Sequence, residues 1–418
     1  MVKSFSCTNF RNVNLKDLEF AKVNLLIGPN NAGKSNLIRA LSFAANMLSN
    51  ASKDTSGFFA EVQRNGSADI LRRNSTSQSV SLGWRIALEG QDVDYTLKFH
   101  PGKGEEDSYI VKEAVDSAQK RKGNQKAFNF FLFHDKNPGT GMFSTAYQFG
   151  QENHRVHVPA EQSETALLQF EKLVMQNPDL SSKDYISKTM FSMLESMRNY
   201  FLKFYSYTSS KFDFEKIRQL QDPGVSGKFL TKDGSNLVNV YRYACKRDSD
   251  FQPRFLNKMK SMMRDLKEIK VEEGLDKIGM RLYFNNSGYM LSEVSDGTIE
   301  ALLLALLTSM PQEQAPSLLA IDEPEVNLHP AWQAALGKWL QSSGSFKQCF
   351  ISTHSSDFLD SFTDGFQSGD VNIFVYDPVG RSTFKPLDRQ RVNEELEKGW
   401  LLGDLYRVND PAIGGWPW

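Results

Sequence analysis

The sequence predicts an α/β fold, because apolar runs of strand length alternate with helical segments and three of these runs end in polar clusters. The runs are Val23–Ile27, Ser317–Ile321 and Cys349–Thr353. The glycine-rich segment 28–35 follows the first run, Asp322-Glu323-Pro324 the second and His354 the third. Because ligands of α/β folds bind beyond the ends of strands, these clusters are the candidate functional sites.

The segment after the first run, GPNNAGKS at 28–35, fits the phosphate-binding loop pattern G-x-x-x-x-G-K-[ST]. A helical segment, Asn36 to Met47, follows it. Glycines such as Gly28 and Gly33 let the backbone approach a phosphate, and the new helix turns its positive end toward that anion. We therefore expect Lys34 to reach the outer phosphates and Ser35 to bind Mg²⁺. The alternative, an ordinary glycine-rich turn, leaves the flanking strand and helix unexplained.

The second cluster places two adjacent carboxylates, Asp322 and Glu323, at the end of a buried strand. Buried carboxylates are costly without a counter-charge, and Mg²⁺ bound to a triphosphate supplies one. We expect Asp322 to hold the metal through its water shell and Glu323 to orient and partly deprotonate the attacking water. His354 is expected to sense the terminal phosphate near Glu323. A strand-end turn and a structural histidine are the alternatives.

The segment Leu291–Thr298 precedes a strongly apolar helix, Ile299 to Leu307, and carries serine and glycine. Ser295 or Asp296 is a candidate N-cap of that helix. A helix N-terminus that exposes Ser295 and Gly297 is an anion site. Taken alone, however, this segment is better interpreted as a well-capped core helix.

Together these segments resemble the ABC-type ATPases of the RecF/SMC branch, and more narrowly the standalone ATPases related to RecF and to the ATPase half of OLD-family proteins. The motifs behind the resemblance are Asn9-Phe10-Arg11, Gly28–Ser35, Asp233–Leu237, Leu291–Thr298, Ile321–Glu325 with Leu328-His329-Pro330, Ser352–Ser355, and Leu402–Leu405 with Gly414-Gly415. The nucleotide motifs specify the superfamily, whereas the Asp233–Leu237 motif and the C-terminal motifs narrow it to the subgroup. The middle of the chain matches only sparsely.

The resemblance implies a P-loop ABC-type ATPase head with a mixed sheet, which binds ATP and Mg²⁺ and hydrolyses ATP. Ser295 and Gly297 would act in trans, on ATP held by a second subunit in a head-to-tail homodimer, and Arg11 would approach the nucleotide from the N-terminal side. The family's Mg²⁺-sensing glutamine has two candidates here, Gln63 and Gln78, and the sequence does not choose between them. The expected nucleotide contacts from the phosphate loop are Gly28, Asn30, Asn31, Ala32, Gly33, Lys34, Ser35 and Asn36.

The predicted organisation is two halves of the ATPase head, residues 1–110 and 286–418, around an inserted and mostly helical lobe at 111–285. Glu89-Gly90-Gln91-Asp92 between two alternating segments predicts a hairpin in the first half. In the lobe, apolar residues of Tyr185–Tyr205 recur at helical spacing. The basic cluster Lys120–Lys126 and the lysines of the predicted helix Phe255–Ile269 either contact nucleic acid or are solvated, and we favour solvation for both.

Composition excludes a global electrostatic attraction to nucleic acid, because 49 Lys and Arg nearly balance 50 Asp and Glu. Cys7, Cys245 and Cys349 are far apart and form no metal or disulfide pattern, which fits a reducing cytoplasm. The N-terminus has no signal-peptide hydrophobic segment, and no apolar stretch has the length of a membrane span. We therefore expect a cytoplasmic protein.

A second catalytic centre is not expected. Glu152, His154 and His157 invite a metal interpretation, but strand positions three apart face opposite sides. The tail after His354 is too short for the nuclease domain that OLD proteins append, so we expect a partner to cut any nucleic acid. Two functions remain open: a DNA-responsive ATPase in repair or anti-phage defence, and a regulatory ATPase that holds and releases a co-encoded nuclease or toxin.

Overall fold

The structure is a computed structural model that describes residues 1–50, 56–88, 90–102, 107–120, 127–144, 155–176, 184–274, 276–285, 287–377 and 382–414. These residues form two compact units, each assembled from distant parts of the sequence. Unit 1 draws on residues 1–20, 30–204 and 377–385, and unit 2 on residues 21–29, 205–376 and 386–418. The predicted boundary at 110 falls inside unit 1, and the predicted boundary at 285 falls inside unit 2. The two units therefore do not coincide with the three predicted parts, and the three-part division stays a prediction.

Unit 1 contains an eight-stranded antiparallel sheet with the strand order β2-β1-β4-β5-β6-β7-β8-β9. The strands are β1 (Val2–Phe10), β2 (Val13–Glu19), β4 (Val80–Leu88), β5 (Gln91–His100), β6 (Tyr109–Lys120), β7 (Ala127–Phe133), β8 (Thr140–Ser144) and β9 (Arg155–Pro159). Every second side chain of β4 is buried, as expected for a sheet with one face on a core. The predicted hairpin is confirmed, because β4 and β5 pair in antiparallel fashion up to Leu88 and Gln91. Glu89 of the predicted turn lies outside the described residues.

The helices of unit 1 cover the sheet. They are α1 (Lys34–Leu41), α2 (Phe43–Asn50), α3 (Gly57–Arg64), α4 (Ala166–Met175) and α5 (Asp184–Leu202). The indole of Trp84 lies at the centre of this core, where it packs against Phe5, Tyr95 and Phe201 and donates its Nε1–H to the carbonyl of Leu41 at 3.1 Å. Phe201 belongs to the predicted apolar stripe of α5, together with Met193 and Met197, and all three side chains are buried. The part of the stripe that the structure describes is therefore confirmed as a core face.

Unit 2 contains a six-stranded sheet with the order β10-β14-β15-β3-β16-β17. Its strands are β3 (Val23–Ile27), β10 (Phe204–Thr208), β14 (Leu318–Asp322), β15 (Cys349–Ser352), β16 (Val371–Tyr376) and β17 (Phe384–Pro386). The pairs β14–β15, β15–β3 and β3–β16 are parallel. All residues of β3, β14 and β15 are buried, which explains their unbroken apolar character.

The rest of unit 2 is helical apart from a small antiparallel sheet of β11 (Leu266–Glu273), β12 (Ile278–Phe284) and β13 (Ser287–Met290). Its helices are α6 (Phe214–Arg218), α7 (Leu237–Arg247), α8 (Phe251–Met262), α9 (Asp296–Leu307), α10 (Pro330–Ser342), α11 (Ser356–Asp360), α12 (Thr363–Ser368), α13 (Arg389–Leu396) and α14 (Leu402–Arg407). Helix α9 is buried from Thr298 to Leu307 and packs against α8. In the part of the chain with described coordinates, no helix is both long enough and apolar enough to cross a bilayer.

The description of residues 111–285 as mostly helical is wrong, because most of β6 and all of β7 to β12 fall in this segment. The predicted helix Phe255–Ile269 ends at Met262, and Leu266 begins a strand. Leu266 and Ile269 are both buried because the register of β11 shifts between Leu266 and Glu268. That irregularity produces a three-residue apolar spacing, which in sequence imitates a helix.

The lysines predicted for one solvated helix face therefore lie on different elements. Lys267 and Lys270 are exposed on β11, whereas Lys258 of α8 donates its ammonium to the carbonyl of Thr308. Burial, and secondarily Arg254, lowers the pKa of Lys258 to about 7. Lys258 is thus a C-terminal cap of α9 and not part of a wet face.

Several other sequence-derived candidates fall outside the described residues. Residues 121–126 of the basic cluster, and both Glu152 and His154 of the metal hypothesis, are in this group. His157 lies in β9, and Lys120 is the last residue of β6. The three cysteines are unpaired, with Cys7 and Cys349 buried.

Candidate nucleotide-binding site

The segment 28–35 forms the predicted connection from strand to helix. Strand β3 ends at Ile27 and α1 begins at Lys34. Gly28 and Gly33 have φ angles of 146° and 100°, conformations that L-residues with a side chain rarely adopt. A Cβ at Gly33 would also lie 2.6 Å from Oδ1 of Asn12. Gly33 is therefore required both for the turn and for close packing.

The amide of Asn12 organises the second half of this loop within unit 1. Its Nδ2 donates to the carbonyl of Asn31 at 3.0 Å, and its Oδ1 accepts from Nδ2 of Asn36 at 2.9 Å. Sequence reasoning selected Asn31 and Asn36 but missed Asn12, although Asn12 directly follows the Asn9-Phe10-Arg11 motif. Asn12 thus links the end of β1 to the loop.

The N-terminus of α1 is suited to an anion. Gly33 occupies the N-cap position in a left-handed conformation and provides no side-chain hydrogen bond to the first turn. Lys34 is buried, Ser35 and Asn36 are half-buried, and the loop residues Asn30 and Asn31 are exposed. Backbone N–H groups at such a helix start attract phosphate oxygens.

Arg11 lies immediately after β1, also in unit 1, with a positive φ of 50°. Its Nη2 donates to the carbonyl of Asn65 at 2.8 Å, while its Nε is buried without a hydrogen-bond partner in the described chain. Burial, and secondarily the nearby Arg39, lowers the pKa of Arg11. This incompletely compensated cation fits the predicted proximity to an anionic ligand.

In unit 2, the parallel register brings the ends of three strands to one sheet edge. Asp322 of β14 pairs with Ser352 of β15, and Ser352 pairs with Leu26 of β3. Gly28, the first residue of the phosphate loop, therefore follows β3 at the same edge as Asp322. The register confirms that the carboxylate pair and the start of the glycine-rich loop share one edge.

Ser352 fixes the direction of the two adjacent carboxylates. Its hydroxyl donates to Oδ1 of buried Asp322 and accepts from the backbone N–H of Glu323 at 3.1 Å. Glu323 has a positive φ of 54°, which turns the chain sharply after β14. As a result Asp322 stays buried, whereas the side chain of Glu323 is 39% exposed.

The exposed carboxylate of Glu323 meets the imidazole of His354. Oε1 of Glu323 lies 3.3 Å from Nε2 of His354, whose side chain is 30% exposed. A glutamate and a histidine at this distance can act together in proton transfer. Glu323 and His354 are therefore in contact, and their catalytic roles stay predictions.

The segment Leu291–Thr298, called the signature segment below, leads into the N-terminus of α9 in unit 2. Ser295 is the N-cap, and its Oγ accepts from the backbone N–H of Thr298 at 3.3 Å. Gly297 packs so closely that a Cβ there would lie 2.6 Å from the carbonyl oxygen of Asn327. Nδ2 of Asn327 donates to Oε2 of Glu300 at 2.6 Å. The signature segment therefore contacts the loop that follows Glu323.

Sequence reasoning missed Glu300. A single glutamate in an apolar helix gives no sign in the sequence of the residue that it will contact, here Asn327. It is fully buried, and burial raises the pKa of its carboxyl to about 7. The hydrogen bond from Asn327 opposes this rise. A neutral Glu300 side chain suits such a site.

A family model for the AAA ATPase domain matches residues 1–359. The chain belongs to this family of ATPases. The chain is also 22% identical over 362 residues to the Endonuclease GajA of Bacillus cereus (strain VD045). That similarity covers 84% of this chain and 55% of GajA, so the chain spans about half the length of this curated relative.

Among solved structures, this chain is similar to the SMC head bound to the C-winged helix domain of ScpA. The TM-score is 0.54 with 10% identity, and the similarity covers 96% of this chain and 99% of that chain. Such low identity shows the fold alone. The predicted α/β fold with mixed sheets, similar to that of an SMC head, is thereby confirmed. The predicted resemblance to ATPases is confirmed by the family match over residues 1–359.

The predicted site residues are divided between the two units. Asp322, Glu323 and His354 gather at one edge in unit 2. Lys34, Ser35 and Arg11 lie in unit 1, together with both candidate glutamines. Gln63 is exposed in α3 and Gln78 is exposed before β4, and the choice between them stays open.

Proposed function

We propose that this protein binds ATP with Mg²⁺ and hydrolyses it to ADP and phosphate. One observation carries the proposal: the Glu323–His354 pair stands beside Asp322 at the sheet edge where the phosphate loop begins. Membership of an ATPase family supports the same reaction. Release of phosphate from ATP by the purified protein, measured with and without Mg²⁺, tests it.

The phosphate loop and the acidic pair are chemically matched to this substrate. The uncapped start of α1 offers N–H groups to phosphate oxygens, and the Lys34 ammonium adds a positive charge. Ser35 and Asp322 provide hydroxyl and carboxylate oxygens, the hard ligands that Mg²⁺ prefers. Mg²⁺ would neutralise the negative charge that develops on the phosphate oxygens. Arg11 would contribute a further positive charge.

Glu323 and His354 supply the proton chemistry. Glu323 orients a water molecule and accepts its proton as the water oxygen bonds to the terminal phosphorus. The bond between that phosphorus and the bridging oxygen breaks, so that ADP leaves with its electron pair. His354 holds the Glu323 carboxylate in place and contacts the terminal phosphate.

Hydrolysis would switch a homodimer between closed and open forms. In this proposal Ser295 and Gly297 of one subunit contact the nucleotide of the other, as the resemblance implies. The exposed N-cap of α9 supports this role, since it presents a helix N-terminus. Light scattering of Glu323→Gln with ATP tests the switch: we expect mass near twice that of the monomer, and a monomeric mass contradicts it.

We further propose that the ATPase responds to DNA, in repair or anti-phage defence. The similarity to a protein named as an endonuclease supports a nucleic-acid context. The alternative is a regulatory ATPase that holds and releases a partner nuclease or toxin, and the near-zero net charge of −1 favours this second function. The three unpaired cysteines fit a cytoplasmic setting for either.

Binding to duplex DNA at several salt concentrations distinguishes these two functions. A DNA-responsive ATPase should bind more weakly as salt rises and should hydrolyse ATP faster when DNA is added. A regulatory ATPase should show neither effect and should instead form a nucleotide-dependent complex with a co-expressed nuclease or toxin from the neighbouring genes.

A further inference from the structure

The second glutamate after β14, Glu325, contacts the segment that carries His354. Its Oε1 accepts from the hydroxyl of Thr353 at 2.7 Å and from the backbone N–H of His354 at 2.9 Å. The Glu325 side chain is buried, with 8% exposure, and Thr353 is completely buried. One carboxylate oxygen of Glu325 thus accepts hydrogen bonds from two consecutive residues, Thr353 and His354.

Other contacts of this segment fix its backbone on both sides. The N–H of Thr353 donates to the carbonyl of Leu26 at 3.1 Å, and the Thr353 hydroxyl accepts from the N–H of Ser355 at 3.0 Å. The Ser355 hydroxyl donates to Oε1 of Gln333, whose Nε2 donates to the carbonyl of Leu328. At His354 itself, the backbone N–H donates to Glu325.

We propose that Glu325 is a positioning residue for catalysis: it sets the position of His354 and thereby the 3.3 Å separation between His354 and Glu323. This inference rests on the proposed ATP hydrolysis for its functional meaning. Glu325 does not touch the reacting atoms. It acts because a shift of the His354 backbone displaces the imidazole from the Glu323 carboxylate.

The burial of Glu325 identifies its most conservative replacement. Burial raises the pKa of its carboxyl, and the hydrogen bonds from Thr353 and His354 oppose that rise. Its second oxygen, Oε2, is buried without a hydrogen-bond partner in the described residues. Glutamine has a side chain of the same length with one acceptor oxygen, so Glu325→Gln keeps an acceptor for both the Thr353 hydroxyl and the His354 N–H. Glu325→Ala removes that partner, and Glu325→Asp shortens the side chain.

The first experiment measures the position of His354 without requiring catalysis. Carbon-13 is introduced at the histidine rings, and the His354 signal is identified as the one missing in His354→Ala. Glu323→Gln is then made in the wild-type, Glu325→Gln, Glu325→Asp and Glu325→Ala proteins. The chemical-shift change that Glu323→Gln causes at His354 reports the coupling of the two side chains, as in a double-mutant cycle.

We expect the shift change at His354 to be the same in wild type and Glu325→Gln. In Glu325→Ala it should fall to about half or less, because the two side chains are no longer coupled. Glu325→Asp should give an intermediate value and replaces Glu325→Ala if thermal melting shows that the alanine protein is unfolded. An undiminished shift change in the folded Ala or Asp variant would overturn the proposal.

The second experiment measures steady-state hydrolysis. We expect Glu325→Ala to lower kcat by about tenfold to a hundredfold with KM for ATP within about twofold, because a lost transition-state contact leaves ground-state binding unchanged. Glu325→Gln should have a kcat close to that of the wild type. If Glu325 acted only through its negative charge, Glu325→Gln would instead lose activity as Glu325→Ala does. Thr353→Val is the control: it removes one donor to Glu325 and the acceptor of the Ser355 N–H, but it keeps the bond from the His354 N–H to Glu325. It should retain more activity than Glu325→Ala.

These two readouts separate the positioning role from the proposed function. Absence of hydrolysis in the wild-type protein would contradict the ATPase proposal, while the histidine signals would still report whether Glu325 positions His354. Normal kcat in Glu325→Ala would overturn the positioning role and leave the ATPase proposal standing.

Discussion

Nε2 of His354 lies 3.3 Å from Oε1 of Glu323, although 31 positions separate the two residues in sequence. The contact forms because β14 and β15 are parallel neighbours and end at the same level. Glu323 reaches outward through its positive φ, while Asp322 stays buried against Ser352. Neighbouring acids thereby acquire different environments, which suits one for metal binding and the other for proton transfer.

Replacing Glu323 by glutamine should abolish most ATP turnover and leave ATP binding intact. The amide cannot accept the water proton, so we expect kcat to fall by about a hundredfold to ten-thousandfold. Phosphate release gives kcat, and calorimetry gives the ATP affinity. Glu313→Gln, at an exposed position of unit 2, is the control and should behave as wild type. Unchanged turnover in Glu323→Gln would remove Glu323 from the proposed role.

Replacing Lys34 by alanine should weaken ATP binding by about tenfold to a hundredfold. A hydrogen bond to a charged group contributes about 1.5–3 kcal/mol, and each 1.4 kcal/mol corresponds to about tenfold in Kd. Calorimetric titration with ATP measures the change. Lys98→Ala, which removes an exposed lysine from β5, is the matched control. An unaltered Kd in Lys34→Ala would argue against the phosphate-loop assignment.

The strand–loop–helix at 23–41 and the signature helix were predictable because their signals are local. Gly33 must adopt a positive φ, and an apolar run of five residues ending in glycine indicates a buried strand. The contacts that organise the site are not local. Asn12 bonds to Asn31 and Asn36, and the sequence alone does not give the loop geometry that allows these bonds. Glu325 can bond to His354 only because β14 and β15 are neighbouring strands, which the sequence does not specify. No spacing rule in the sequence encodes such pairs.

Local signals also failed where backbone irregularities intervened. The register shift in β11 buries Leu266 and Ile269 together, so a strand acquired the apolar spacing of a helix. The predicted helix from Asn36 to Met47 is divided into α1 and α2 at Ser42, whose hydroxyl bonds back to the carbonyl of Ile38 at 2.7 Å. A serine hydroxyl can thus compete with backbone N–H groups for a helix carbonyl, and a serine in the sequence does not by itself predict the end of a helix.

Replacing Glu300 by glutamine should raise stability, and the gain should increase with pH. The pKa of Glu300 rises from 4.5 to about 7 on folding because the side chain is buried. A raised folded-state pKa contributes stability that is fully present below pH 4.5 and is lost as pH rises through about 7. Glutamine does not titrate, so the stability difference should grow by about 1–3 kcal/mol between pH 5 and pH 8.

Urea unfolding at several pH values measures this difference between wild type and Glu300→Gln. The control is Glu313→Gln, which changes an exposed carboxylate of the same unit. Buried Glu113 of unit 1, whose pKa burial also raises to about 7, is unchanged in both variants, so its contribution cancels. A stability difference independent of pH would contradict the assignment of a neutral Glu300.

Replacing Gly297 by alanine should disturb the contact between the signature segment and the loop after Glu323. The new Cβ would lie 2.6 Å from the carbonyl oxygen of Asn327, a distance that backbone atoms must relieve by moving. We expect a loss of about 1–3 kcal/mol in stability, as for other overpacked sites. Because the displaced segment carries Ser295, ATP-dependent dimerisation should weaken more than ATP binding. Gly344→Ala is the control, since a Cβ there meets nothing within 4 Å. Equal melting temperatures and equal dimerisation for the two alanine variants would show that the close approach of Gly297 to Asn327 has no energetic consequence.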